Sequence, residues 1–256
     1  MAKAIFWFRR DLRLHDNSGL YHALNSGLPV LPVFIFDKSI LDGLEEDDAR
    51  VSFIHQTLSG INIQLNSLGS SLLVLYDKPL DAFKKICSRF NVKEVFANHD
   101  YEPYAIDRDK NIAEFLQSKN IGFNTFKDQV IFEKKEILTN SNTVFSVFTP
   151  YKNNWLKTLQ EKDLAAYDCN PKPGQYAPVP KKLDLLFPTL ESMGFCPTGI
   201  ESYLPPGSDG GQLFLEDFLS RIDQYQVGRD FPAIKGVSYL STHLRFGMLS
   251  IRGLVR

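Results

Sequence analysis

Over residues 1 to about 128, short apolar runs alternate with stretches of helical periodicity. The runs Ala4–Phe8, Val30–Phe36, Leu72–Tyr76, Glu94–Ala97 and Gly122–Phe126 read as strands. Between them lie helical patterns. The clearest spans 49–68, where Val51, Ile54, Leu58, Ile61, Leu65 and Leu68 share one face and Gly69 follows as a stop. Another runs from Leu80 through Phe83 and Cys87 to Phe90. Strands spaced by helices imply an α/β fold: a doubly wound, five-stranded parallel sheet covered on both faces.

The pattern changes after residue 128. Residues 129–210 are rich in Pro, Lys, Asn, Gly and Ser, with weak periodicity and segments such as Asn170-Pro-Lys-Pro-Gly174. They read as a long connector draped over another surface. Helical spacing returns at 211–226, with Phe214, Phe218, Ile222 and Tyr225 on one face. A short helix is expected from Ser238 to Phe246, with Gly247 just past its end. Ser250 is expected to cap a third helix that the sequence barely enters before Arg256, so a helical second domain is expected to be cut short.

Composition adds little beyond a globular chain. Of 256 residues, 43% are hydrophobic and 23% charged, and 29 Lys and Arg oppose 30 Asp and Glu for a net charge of −1. Disorder and a globally basic nucleic-acid coat are disfavoured, although a local basic patch stays open. Cys87, Cys169 and Cys196 are odd in number and lack metal-type spacing, which fits reduced thiols in an intracellular chain. No apolar run approaches membrane-spanning length, and the first residues do not form a signal peptide, so a cytoplasmic location is expected.

Candidate chemistry gathers at two places. Ligands of open parallel sheets sit beyond the carboxyl ends of strands. Those ends carry Arg9 and Arg10, then Asp37, then Asn98, His99, Asp100 and Glu102, with Arg50 opening the long helix. Arginines and carboxylates so gathered can fix a polar heteroaromatic ligand, or can be solvated loop charges. The second place is Arg229 to Gly247, where Gly236 permits a sharp turn and Ser238 and Ser241 bring hydroxyls to a helix start. That arrangement serves equally as an ordinary cap. Glycine-rich phosphate loops, a nucleophile elbow and zinc motifs are all missing, so nucleotide-loop, hydrolase and metalloenzyme readings find no support.

Four longer stretches carry a resemblance. Trp7-Phe-Arg-Arg-Asp-Leu-Arg-Leu-His-Asp-Asn17 resembles the opening signature of the DNA photolyase/cryptochrome family. Asp100-Tyr-Glu-Pro-Tyr104 with Arg108-Asp109, then Phe145 through Trp155, then Tyr225 through Gly247, agree with it in order and spacing. The whole chain is covered, and the match is nearest to microbial class I cyclobutane-dimer photolyases.

The resemblance implies a Rossmann-like antenna domain at 1–130, an interdomain linker at 131–210, and the start of an all-α FAD-binding domain at 211–256. It implies light-driven repair of pyrimidine dimers in UV-damaged DNA by electron transfer from excited, reduced FAD, in a monomer. A cryptochrome-type photoreceptor, or a chromophore-binding module without catalysis, is the alternative. FAD contacts would be Tyr225, Val237, Ser238, Tyr239, Leu240 and Ser241, with Val237 standing where many relatives carry Thr. Arg229 would face DNA. Arg10, Asp37, Arg50, Asp100 and Glu102 match an antenna site of deazaflavin or flavin type. Tyr104-Ala105 stands where folate-binding relatives carry Asn-Glu, which disfavours methenyltetrahydrofolate. Catalytic residues are expected beyond Arg256, Trp7 and Trp155 match no electron-relay position, and the 256 residues alone are expected to be inactive.

Overall fold

The computed structural model describes residues 1–178 and 187–256. Strands β1 (Lys3–Phe8), β2 (Val30–Asp37), β3 (Leu73–Asp77), β4 (Val92–Asn98) and β5 (Gly122–Phe126) form one parallel sheet in the order β3-β2-β1-β4-β5. Helices α1 (Ser18–Leu24), α2 (Lys38–Leu41), α3 (Ala49–Ser67), α4 (Pro79–Arg89) and α5 (Pro103–Ser118) connect the strands. All five expected strands are present, and Gly69 takes the left-handed conformation that ends the long helix.

Alternation along the strands explains the double coverage. Phe6, Phe8, Phe34, Phe36 and Phe96 join Leu20 of α1 and Phe53, Leu58 and Leu65 of α3 in one core. Their neighbours Ile5, Trp7, Leu31, Val33 and Val95 join Phe83 and Ile86 of α4 and Ile112 and Leu116 of α5 in the other. A strand buried on both faces needs an unbroken apolar run, which is the pattern of β1 and β2.

Beyond β5 the expected connector is more structured than its composition suggests. It holds α6 (Phe148–Thr158), which buries no residue completely. Its anchors are few: Trp155 meets Phe132 edge-on at 5.6 Å, and Asn154 Nδ2 donates to the Leu138 carbonyl. So little burial leaves no strong apolar stripe to read. The connector then binds the first core. The Val30 N–H donates to Gln175 O and Ala177 N–H to Val30 O, while Leu190, Met193 and Phe195 pack on the α1/α3 side. Residues 179–186 of the expected linker lie outside the described residues.

Helices α7 (Gly207–Leu219), α8 (Tyr225–Gly228), α9 (Ser241–Arg245) and α10 (Ile251–Val255) complete the chain. The continuous helix expected at 211–226 is corrected here: α7 begins four residues earlier, at Gly207, and stops at Leu219. Its glycine-rich first turn hides its start, yet the glycines are required. A Cβ on Gly210 would lie 2.0 Å from the Pro205 carbonyl oxygen, and one on Gly211 would strike Leu249. The helix expected from Ser238 is likewise shorter and starts at Ser241, because Tyr239 takes φ +55° just before it. Ser250 does cap α10, its hydroxyl accepting from the Gly253 N–H. Among the described residues, no helix is long and apolar enough to cross a membrane, and no cluster of His, Cys, Asp and Glu could hold a metal.

Two devices fasten these helices to the sheet. Gly247 adopts φ +62°, where a Cβ would lie 2.2 Å from the Arg10 carbonyl oxygen. This close approach lets the Leu12 N–H donate to Phe246 O and Arg13 to Gly247 O. The second is a buried ionic network. Asp128 accepts from Arg13 at 2.7 Å, from Arg252 at 2.9 Å and from the Ser18 N–H at 3.0 Å. Asp16 accepts from Arg252 at 2.9 Å and from the Ser250 hydroxyl. The Arg252 guanidinium also covers the Tyr167 ring at 4.8 Å.

Histidines at these junctions make stability depend on pH. His243 is buried between Phe53 and Phe214, with Nε2 2.8 Å from the Pro205 carbonyl and Nδ1 without a partner. Burial is the leading cause that lowers the pKa of His243, and likewise of His15 and His22. A depressed imidazole pKa favours the fold above the unfolded value of ~6.5, and that contribution is lost as pH falls below it. The melting temperature should therefore drop between pH 7.5 and 5.5, and His243→Gln should flatten part of the slope. An equally steep profile in the variant would exclude His243 as a source.

Candidate functional site

Strand order reverses between β1 and β4, which diverge to opposite halves of the sheet. The crevice beyond their carboxyl ends is the site that an open parallel sheet offers a ligand. The polar residues there divide into two groups. Arg9 and Asn98 are committed to the fold. Arg9 bonds Asp109 and the Asn98 carbonyl, and the Asn98 amide accepts from the Gly19 N–H while donating to Asp11 and Asn17. Both are buried, so neither is free for a ligand, although the sequence collected them with the rest.

The second group lines the crevice, with Arg10 and Glu102 partly exposed and the Asp37 and Asp100 carboxylates largely buried. Arg10 Nη1 lies 3.3 Å from Asp100 and 3.0 Å from Glu102. Glu102 is shared with Arg245 of α9 at 2.7 Å, and Arg10 Nε donates to the Arg245 carbonyl. The Arg245 guanidinium above all, with Arg10 behind it, holds the Glu102 carboxyl below its ordinary range. Asp37 caps α2 by accepting from the Ser39 N–H at 2.9 Å, and its other oxygen takes the Tyr104 hydroxyl. Burial first, then that bond to Asp37, pushes the Tyr104 phenol up.

Three of the five expected antenna residues, Arg10, Asp100 and Glu102, are thus in direct contact. Asp37 sits at the neighbouring strand end, joined through Tyr104 to the first turn of the helix that follows Glu102. Arg50 stands apart: its guanidinium is paired with Asp48, the cap of α3, and its side chain is 64% exposed. Tyr104 and Arg245 were not singled out for this place. Tyr104 was readable in principle, being two residues from Glu102. Arg245 was not, because only the tertiary contact of α9 brings it across 143 residues of chain.

The residues expected to meet FAD surround a tight backbone crossing. Gly228 and Gly236 touch so closely that a Cβ on Gly236 would lie 2.3 Å from the Gly228 oxygen. Arg221 braces the loop by donating to the Lys235 and Val237 carbonyls. Ser238 Oγ accepts from the Leu240 N–H at 3.4 Å, so it forms a turn ahead of α9 in place of the expected helix cap. Leu240 is buried, whereas Tyr225, Val237, Tyr239 and Ser241 are exposed. Arg229 lies over the Tyr225 ring at 5.6 Å and makes only a 3.7 Å contact with Asp230, leaving its cation in solvent. Exposed Leu219, Val227, Phe231 and Ile234 add an apolar surface around this loop.

Residues 4–172 match the family model described as DNA photolyase. The chain is 32% identical over 256 aligned residues to the deoxyribodipyrimidine photo-lyase of Synechococcus sp. (strain ATCC 27144 / PCC 6301 / SAUG 1402/1), covering 98% of this chain and 52% of that protein. The solved structure of a bacterial class III photolyase from Agrobacterium tumefaciens superposes with a TM-score of 0.82 at 28% identity, covering 99% of this chain and 52% of that one. An archaeal photolyase from Sulfolobus tokodaii, solved with two FAD molecules, gives 0.75 at 27% identity, covering 99% and 54%. The chain spans about half the length of the photo-lyases it matches. With a family signature over most of its length, and the Rossmann-like sheet of its solved relatives beneath that signature, the chain belongs to the DNA photolyase family.

Proposed function

We propose that this chain is the light-collecting half, and the first part of the flavin-binding half, of a deoxyribodipyrimidine photo-lyase that repairs cyclobutane dimers in UV-damaged DNA. The observation that carries the reading is the contact of Arg10, Asp100, Glu102 and Arg245. This charged cluster, open to solvent at Glu102 and Arg245 and buried at Asp100, lies at the sheet's switch point and is joined directly to α9 of the flavin-side segment. Fixed donors and acceptors of both signs suit a flat ring system rich in carbonyl and N–H groups, such as a deazaflavin or flavin. A second FAD in the Sulfolobus tokodaii photolyase supports a flavin-like antenna.

The flavin-side residues fit part of an FAD site. The Ser238 and Ser241 hydroxyls donate to no acceptor among the described residues, which leaves them for phosphate oxygens. The partly exposed rings of Tyr225 and Tyr239 and the surrounding apolar surface suit a large planar cofactor. FAD would supply the photoexcited one-electron donor. This chain's own residues would hold its phosphates and hold Arg229 toward the DNA backbone, where a cation contributes position and salt-dependent affinity.

The test is an absorption spectrum of the natural protein purified with whatever it binds, followed by blue-light illumination with an oligonucleotide carrying a cyclobutane dimer. Bound FAD with light-dependent loss of dimers is expected, and a further near-ultraviolet or blue band would identify the antenna. Bound flavin without repair would replace the lyase by a photoreceptor. A colourless, folded protein would leave only a module without catalysis.

A further inference from the structure

A second cavity lies on the other side of the Asp100 wall. It has a volume of about 790 Å³ and opens between the carboxyl ends of β4 and β5, α5 and the turn at 130–134. That volume falls inside the roughly 300–1,000 Å³ of ordinary small-molecule sites. Its surface is mostly apolar, supplied by Ile106, Phe123, Val130 and Phe132, while a set of hydrogen-bonded polar groups closes one end.

The polar end is held together by hydrogen bonds among its own side chains. Glu133 Oε2 accepts from the Tyr101 hydroxyl at 2.6 Å and lies 2.8 Å from His99 Nδ1. His99 Nε2 lies 3.0 Å from the Thr125 hydroxyl. With the imidazole proton on Nδ1, Thr125 donates to Nε2, and every donor in the chain is spent. What remains for a ligand is acceptor capacity, the lone pairs of the Tyr101 and Thr125 oxygens. Burial alone would raise the Glu133 carboxyl, but the bonds from Tyr101 and His99 outweigh it and keep it ionised as their common acceptor.

The rim has the opposite character. Asp109 is neutralised by Arg9 and Arg108, and Asp100 by Arg10. Lys110 has no carboxylate partner among the described residues, and Lys134 stands 3.9 Å from Glu133 with its backbone at φ +51°. Left-handed backbone is unfavourable for a lysine, so the turn holds it there against local preference.

We propose that this cavity binds a planar, amino-substituted heteroaromatic ring carrying a phosphate arm, the chemistry of an adenine nucleotide. The ring would lie against Phe132 and Ile106, its amino group would donate to Tyr101 or Thr125, and its phosphate would meet Lys110 and Lys134. The site is separate from the Arg10 cluster and does not rest on the antenna reading.

Calorimetric titration of the chain with AMP tests it. Saturable one-to-one binding is expected. Ala113→Phe, which fills the cavity from the α5 side, should weaken it at least about tenfold, as should Lys110→Glu with Lys134→Glu. Those two lysines are on the surface, so that variant decides the matter even where the Ala113 variant fails to fold. Absence of AMP binding by the natural chain, or unchanged affinity in the lysine variant, would overturn the proposal. So would loss of binding in Arg10→Ala, which would place the nucleotide in the neighbouring cluster.

Discussion

An Asp128→Ala variant is expected to lose about 3–5 kcal/mol of stability, because it leaves the buried Arg13 cation without a carboxylate partner and the buried Arg252 cation with Asp16 alone. Asp128 is fully buried, and Arg13 and Arg252, its partners at 2.7 and 2.9 Å, are 2% and 6% exposed at their side chains. The network as a whole need contribute little net stability. An apolar replacement of similar shape would spare the desolvation that the ion pairs only offset. What it does set is geometry, since Asp128 follows β5, Arg13 follows β1 and Arg252 belongs to α10. Denaturant titration reads the loss as a lower midpoint at unchanged slope. The surface pair Asp81–Lys84 is the comparison: with both side chains about half exposed, Asp81→Ala should cost under about 1 kcal/mol. A shift for Asp128→Ala no larger than that would show the network to be dispensable.

This network also marks where sequence reading stops. The sheet was legible because a parallel strand covered on both faces must be apolar at consecutive positions, and β1 and β2 are. Gly69, Gly247 and Ser250 were legible because a left-handed stop and a hydroxyl cap are local demands. Helix α7 was misplaced because its glycines answer to Pro205 and Leu249, contacts that no periodicity records. α6 was missed because a helix without completely buried residues writes no stripe. At the crevice the residue types were right but their status was not. Arg9 and Arg10 are adjacent, yet one is locked under Asn98 and the other faces the site. Neighbours on a strand end point to opposite sides, and composition cannot say which side holds the ligand.

Removing both acidic members of that crevice should separate binding from folding. In a variant carrying Asp100→Ala and Glu102→Ala, retention of flavin mononucleotide or a deazaflavin is expected to fall by at least about a hundredfold, since each lost charge-assisted hydrogen bond is worth about 1.5–3 kcal/mol. The fold should survive. Arg245 and Glu102 are each 52% exposed, so that pair was worth at most about 1 kcal/mol; Asp100 is 7% exposed at its side chain, but its partner Arg10 is 23% exposed and 3.3 Å away, so the freed guanidinium regains water. The contrast with Asp128 is one of burial, not of charge. Arg50→Ala should weaken binding less, below about tenfold. To reach a ligand, Arg50 must first leave Asp48, whose carboxyl it holds below the ordinary range, and that broken pair offsets what the ligand returns. Chromophore stoichiometry by absorption, with the melting temperature measured alongside, reads all three variants. Unchanged stoichiometry in the double variant would remove the crevice as the antenna site. A loss as large for Arg50→Ala as for the acidic pair would mean that the helix opening at Ala49 swings inward to close on the ligand.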